Sequence, residues 1–301
     1  MAKRKNPSKA SEFSVREFFA RFHSDDACLE HVMEVRYGLR HTCRKCGVVD
    51  ATFHKIKDRR AYACAHCGDH VYPGAGTIFQ DSRTPLQVWF YAIYLFVTTR
   101  HGVSGKELQR QLGVTYKTAW RMGQQIRTLM AKADGFEVLL GHVELDEAYV
   151  GGKRSGGKRG RGAPGKTIVF GMKEREGRMV TEVIPDVRRD TLREATLRNV
   201  GEGSVVSTDD LVSYGLLEHD GYIHGVVQHG KKQYAWYDAE IGETFHTNHV
   251  ESFWRLFKKS IASTHIHVSS KYMDRYLKEF TFRSNHREME NAMFDLLIGA
   301  V

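Results

Sequence analysis

Four of the five cysteines fall into two pairs, Cys43-x2-Cys46 and Cys64-x2-Cys67, separated by 17 residues. Two residues between thiols let one tight turn present both sulfurs to a single ion, and a second such turn completes a tetrahedron. This is the spacing of a four-thiolate structural zinc site. Two disulfides are the first alternative, but the basic start Met1–Lys5 is not followed by the apolar stretch of a secretion signal. A redox pair is the second, and duplication of the motif at this spacing argues against it. One Zn2+ held by Cys43, Cys46, Cys64 and Cys67 is therefore expected. Cys28 is left over as a small buried apolar residue. His41 and His66 lie nearby, but four thiols suffice.

The second chemistry is carried by carboxylates inside apolar, strand-like sequence. Asp146 sits in Val143-Glu144-Leu145-Asp146-Glu147, and Asp209 ends Val205-Val206-Ser207-Thr208, with Asp210 directly after it. An unpaired buried carboxylate is costly. A divalent cation shared between two of them offsets that cost and makes a hydrolytic centre. The ordinary alternative is a pair of strand-end acids facing water or arginine. A third element comes from residues 246–258, His246-Thr247-Asn248-His249-Val250-Glu251-Ser252-Phe253-Trp254-Arg255-Leu256-Phe257-Lys258. On a helix, at about 100° per residue, Asn248, Glu251, Arg255 and Lys258 fall within about 80° of one another. That face offers an oxygen to a metal and a cation to a phosphate, while Phe253, Trp254 and Phe257 point away to anchor the helix. A solvated face with a Glu251–Arg255 pair is the plainer reading.

These groups need elements to position them. Residues 12–37 read as a helical lead-in, and 51–55 and 60–64 as short ribbon strands. Thr84-Pro85 opens a helix, with Thr84 as N-cap and Pro85 at its first position. The stretch Val88 to Phe96 is apolar all round and so buried. Ser104 and Glu107 form a capping box, Gly113 ends that helix, and Thr115 caps another running to about Met130. Two helices around a glycine turn read as helix-turn-helix or as a plain helical hairpin. The second carries Lys117, Arg121 and Arg127, as a groove-entering helix would.

From residue 136 strands dominate: 138–150, then a 167–173 and 178–184 hairpin, a helix over 190–199, strands 204–208 and 222–228, and helices 248–262 and 269–283. This order fits an α/β unit with a mixed five-stranded sheet and flanking helices. The expected divisions are 1–38 (lead-in with a basic tail), 39–80 (zinc ribbon), 84–132 (helix-turn-helix-like) and 136–290 (catalytic core). No internal repeat is visible.

Charge adds a partner. The chain has 301 residues and a net charge of +9. Residues 1–10 carry Lys3, Arg4, Lys5 and Lys9 without an acid. Residues 151–166 carry Lys153, Arg154, Lys158, Arg159, Arg161 and Lys166 with seven glycines and no acid. Setting those ten cations aside from the 45 leaves 35 basic residues against 36 acidic ones. The body is near neutral, and the excess sits in a tail and one Gly-rich stretch expected to be a mobile loop. Concentrated basic charge of this kind suits a polyanion such as nucleic acid. The apolar run Val88 to Val97 is far shorter than the roughly 20 residues of a membrane span, which argues against an integral membrane protein.

Val143-Glu144-Leu145-Asp146-Glu147-Ala148-Tyr149-Val150-Gly151-Gly152-Lys153 resembles the first-aspartate strand of DDE-type insertion-sequence transposases that carry an N-terminal zinc ribbon. Thr208-Asp209 followed by Tyr214 resembles their second motif, and Asn248-x2-Glu251-x-Phe253-Trp254-x3-Lys258 their third. The likeness covers most of the chain and implies an RNase H-like D-D-N/E-K core. It also implies two-metal phosphodiester chemistry with Mg2+ or Mn2+: one ion on Asp146 and Asp209, the second on Asp146 and the third ligand, either Glu251 or Asn248. Lys258 would meet the DNA backbone. Arg255, the helix-turn-helix cations and the Gly-rich loop are further candidates for double-stranded DNA, both the terminal inverted repeats and the target. A homo-oligomer, at least a dimer on DNA, and a place with the bacterial nucleoid in the cytoplasm follow from the same likeness. A DNA-binding regulator with an inactive core would share the ribbon and the helices but has no need of Asp146, Asp209 and Glu251. An HNH-type nuclease would need its histidines beside the cysteine knuckles, whereas His246 and His249 lie about 180 residues downstream.

Overall fold

The computed structural model describes residues 13–151, 165–289 and 292–301. It divides into two units, one ending at Ala133 and joined by His286–Val301, the other spanning Asp134–Asn285.

In the first unit the helical lead-in is two helices, α1 (Val15–Arg21) and α2 (Asp25–Tyr37). The break lies at 22–24 because Ser24 takes an extended backbone and its side chain accepts from the Ala27 amide. Ser14 and Glu17 close a reciprocal capping box on α1. The ribbon follows as β1 (Arg40–His41), β2 (Ala51–Lys55), β3 (Tyr62–Cys64) and β4 (His70–Val71), paired antiparallel in chain order.

Helix α3 (Leu86–Thr98) starts one residue later than expected, with Pro85 as N-cap and no side-chain cap from Thr84. Asp25 of α2 explains this: its carboxylate accepts from the Gln87 amide at 2.9 Å, so a first-turn donor is already satisfied. Trp89, Phe90, Ile93 and Phe96 are fully buried, as the all-round apolar sequence requires. Helices α4 (Gly105–Leu112) and α5 (Tyr116–Asp134) meet at Gly113, whose φ of 64° is the left-handed conformation glycine adopts freely. Ser104 accepts from the Glu107 amide at 3.1 Å and Thr115 from the Thr118 amide at 3.3 Å. A short C-terminal helix, Met293–Gly299, went unanticipated; it buries Phe294 against Phe22 and Phe90.

The second unit is built on β5 (His142–Gly151), β6 (Lys166–Glu174), β7 (Met179–Ile184), β8 (Val205–Asp209) and β9 (Ile223–Val227). The sheet order is β7-β6-β5-β8-β9. The first three strands are antiparallel, and β8 and β9 run parallel to β5. Helix α6 (Arg189–Asn199) lies between β7 and β8 in the chain, a helix in the connection that a parallel strand requires. This is the mixed five-stranded sheet with flanking helices read from the sequence. Strand β5 starts at His142 rather than 138, because Gly141 takes a φ of 72° and Leu139 instead bridges to Val200. A small hairpin, β10 (Trp236–Asp238) and β11 (Glu243–Phe245), precedes helix α7 (Asn248–Ser260). A π-helical turn (Ile261–His265) then leads to α8 (Ser270–Asn285).

Alternation along β5 sends successive side chains to opposite faces. Val143 and Leu145 join the core with Leu192 and Ala195 of α6. Ala148 and Val150 join the other, with Val250, Trp254 and Phe257 of α7 and Leu277 of α8. Gly171 of β6 pairs with Asp146, and a Cβ there would fall 2.5 Å from the Trp254 ring. Glycine at that position therefore lets the indole lie against the sheet.

Candidate active site

Strand β5 is the central strand, so Asp146 is set in the middle of a rigid sheet. Asp209 is the last residue of β8, which lies beside β5. Carboxylate oxygens of Asp146, Glu147 and Asp209 lie within 4.8 Å of one another. They open onto a cleft of about 700 Å³ that is also lined by Tyr149, Lys166, Asp210, His229, Glu251 and Lys258. Glu251 Oε1 accepts from the Thr247 hydroxyl at 2.7 Å and lies 3.3 Å from His229 Nε2.

The carboxylates of this cleft repel one another. Burial, then the neighbouring Glu147, Asp209 and Glu251, pushes the Asp146 carboxyl up to about 8, against the pull of Lys258. Tyr214 is buried behind the cluster and donates to Glu147 Oε2 at 3.2 Å. Its own phenol is driven well above the usual range by burial and by Glu147. Three hard oxygen donors this close, with an exposed mouth, suit a divalent cation. The cation would relieve the repulsion that otherwise favours a proton on Asp146.

The sequence candidates distribute as follows. Asp146, Asp209, Glu251, Lys258 and Lys166 reach one cleft. Asn248 is exposed at the start of α7 and is not among the residues that line it. Asp210 lines the rim, while Asp209 belongs to the tight cluster. Arg255 is exposed on α7, and Lys117 and Arg121 on α5. Arg127 is a correction: it is buried, its guanidinium donates to the Val103 carbonyl at 3.1 Å and stacks 5.1 Å from the Phe96 ring. It faces the helical core and is closed to a DNA groove. Lys153, Arg154, Lys158, Arg159 and Arg161, with the proposed mobile loop, lie outside the described residues. Glu147 and His229 were missed as site residues. Glu147 alternates to the face opposite Asp146, and His229 comes from a one-turn segment with no periodicity to betray it.

In the ribbon, the four cysteine sulfurs cluster within 4.8 Å. Cys43 and Cys67 are 3.7 Å apart, and Cys46 and Cys64 3.9 Å. A tetrahedron with Zn–S bonds of about 2.3 Å has edges of about 3.8 Å, so these donors fit zinc. The backbone amides of Cys46 and Lys45 help pull the Cys43 thiol down to about 7, while burial and the neighbouring sulfurs push Cys67 up to about 12, since thiols this close ionise together only around a cation. His41 stacks on Phe53 at 4.0 Å and stays outside the ligand set. Cys28 is fully buried, which pushes its thiol up to about 12 and keeps it inert.

Residues 138–285 match the model of the ISXO2-like transposase domain, and residues 23–70 that of the transposase zinc-ribbon domain. An uncharacterized protein in transposable element ISH50 of Halobacterium salinarum is 30% identical over 260 residues, 80% of this chain and 83% of that one. The chain belongs to the ISXO2-like transposase family of insertion elements. The crystal structure of a pre-cleavage Mos1 transpososome aligns over 69% of this chain and 77% of that chain at 12% identity. Its TM-score of 0.27 is too low to bear on the fold. Among the described residues, no helix is long and apolar enough to cross a membrane.

Proposed function

We propose that this chain is the transposase of an insertion sequence, cutting DNA at the element's ends and joining the freed 3′-hydroxyl to target DNA. The observation that carries the reading is the convergence of Asp146, Glu147, Asp209, Glu251 and Lys258 on one cleft from strand and helix segments far apart in the chain. Mg2+ or Mn2+ bound by Asp146, Asp209 and Glu251 would supply activation of the attacking oxygen and charge neutralisation at the leaving oxygen.

The chain's own groups do the rest. Tyr214 fixes Glu147, and Thr247 and His229 fix Glu251, so the carboxylates are oriented before substrate arrives. Lys258 and Lys166, at the cleft wall, would hold non-bridging phosphate oxygens. Water attacks the phosphorus and gives up a proton to solvent or carboxylate, while the bond to the 3′-oxygen breaks and that oxygen takes up a proton, leaving a 5′-phosphate and a 3′-hydroxyl. The 3′-hydroxyl then loses its proton as it attacks a target phosphorus and displaces the target's 3′-oxygen, which leaves protonated from solvent. The zinc ribbon (39–80) and the helical pair (84–132), with Lys117 and Arg121 exposed, would hold the terminal inverted repeats. Two ends must be brought together, so the working form would be at least a dimer in the cytoplasm, on nucleoid DNA.

The test is incubation of the full chain with a labelled terminal-repeat duplex, target DNA and Mg2+. Nicked end product followed by a joined product supports the reading. Binding without any cut strand would replace it with the DNA-binding regulator, which shares the ribbon and helices but not the chemistry.

A further inference from the structure

Glu144 lies two residues before Asp146 on the same strand and is fully buried, yet it has no place in the cleft. Its Oε2 accepts from the backbone amides of His249 and Val250, at 2.8 and 3.1 Å. Its Oε1 lies 2.7 Å from His249 Nδ1, 3.0 Å from His246 Nδ1 and 3.3 Å from Arg175 Nε. Glu144, His246 and His249 could be read as a metal triad. The surroundings oppose that: a guanidinium and the amide end of a helix already face the carboxylate, and both favour an anion over a cation.

The two amides belong to the first turn of α7, where no intrahelical acceptor exists. The residue that would normally satisfy them is the N-cap, Thr247. Its side chain makes no cap bond; its hydroxyl donates to Glu251 instead. The capping task has therefore moved to a carboxylate on the central strand.

We infer that Glu144 is a positioning residue: it caps α7 from across the core, and so frees Thr247 to orient Glu251 towards the carboxylate cluster. Without it, the bare amides turn the Thr247 side chain towards themselves, as an N-cap threonine does elsewhere, and Glu251 keeps only His229 to orient it. This rests on the metal-centre reading above, with Glu251 as a ligand.

The test measures Mn2+ binding by electron paramagnetic resonance on the full, zinc-loaded chain. Glu144→Leu keeps much of the volume but removes the oxygen that both amides share, which Glu144→Gln would retain. It should weaken Mn2+ binding by about 10- to 100-fold, the usual effect of removing a partner that orients a ligand. Binding to the terminal-repeat duplex should not change. In a Glu251→Gln background the same substitution should cause no further loss. Wild-type affinity in Glu144→Leu, or an equal loss in both backgrounds, would overturn the inference. Asp146→Asn separates the two levels. If it abolishes Mn2+ binding while Glu144→Leu does not weaken it, only the positioning role fails. If Asp146→Asn binds normally, the metal centre fails and this role with it. Should Glu144→Leu not fold, hydrogen exchange on the wild type decides: the His249 and Val250 amides must exchange slowly, and free exchange there would refute the cap.

Discussion

Glu251 and Asn248 lie one helical turn apart, but only Glu251 lines the carboxylate cleft. An anion also offsets a cation's charge, which a neutral amide cannot do. Glu251→Gln should therefore slow strand cleavage by at least about 100-fold, equivalent to about 2.7 kcal/mol, while leaving end binding intact. Asn248→Ala should slow it far less. Reversed effects in a single-turnover cleavage assay would make Asn248 the ligand. Asp146 gives a second expectation at this scale. Its carboxyl stands at about 8 in the folded chain against 3.8 in a free aspartate. A value raised by folding contributes stability below about pH 4 that is lost as pH rises through 8. In buffer free of magnesium and manganese, the zinc-loaded chain should thus lose melting temperature between pH 5 and 8 more steeply than Asp146→Asn. Identical slopes would contradict the strained cluster. Sequence made Asp146 and Asp209 visible because acids interrupt apolar strands. Glu147, Glu144 and His229 stayed hidden because their roles depend on what approaches them from other elements.

Among the elements, the ribbon would be the part most dependent on a bound ion. Its strands are two to five residues long and cannot build a core alone. Chelation should release zinc and unfold residues 40–72 before the sheet unit melts. Hydrogen exchange should show this, and Cys64→Ser should purify with less zinc per chain. Full zinc retention in that variant would argue against the four-cysteine site. The cysteine spacing and strand alternation made the ribbon and the sheet legible in the sequence. What could not be read was where partners intervene: Asp25 moves the start of α3, the Leu139–Val200 bridge shortens β5, and Arg127 turns into the core to satisfy the Val103 carbonyl. In each case a contact from outside the element overrides its local sequence. The C-terminal helix escaped notice for a related reason, since seven residues are too few to show a period.

For the whole molecule, the excess charge concentrated in residues 1–10 and 151–166 should act on DNA through counterion release. Neutralising the six cations of 151–166 should weaken binding to all duplexes alike and flatten the salt dependence by up to about 5 in logarithmic slope. A loss confined to one sequence would instead mean base contacts. The central claim is that one carboxylate cleft cuts DNA at the element's ends. It is tested most directly by Mg2+-dependent cleavage of a labelled terminal-repeat duplex, wild type beside Asp146→Asn. The account predicts a cut strand with the wild type, and with the variant unchanged end binding but no cut strand. Cleavage by Asp146→Asn at the wild-type rate would contradict it.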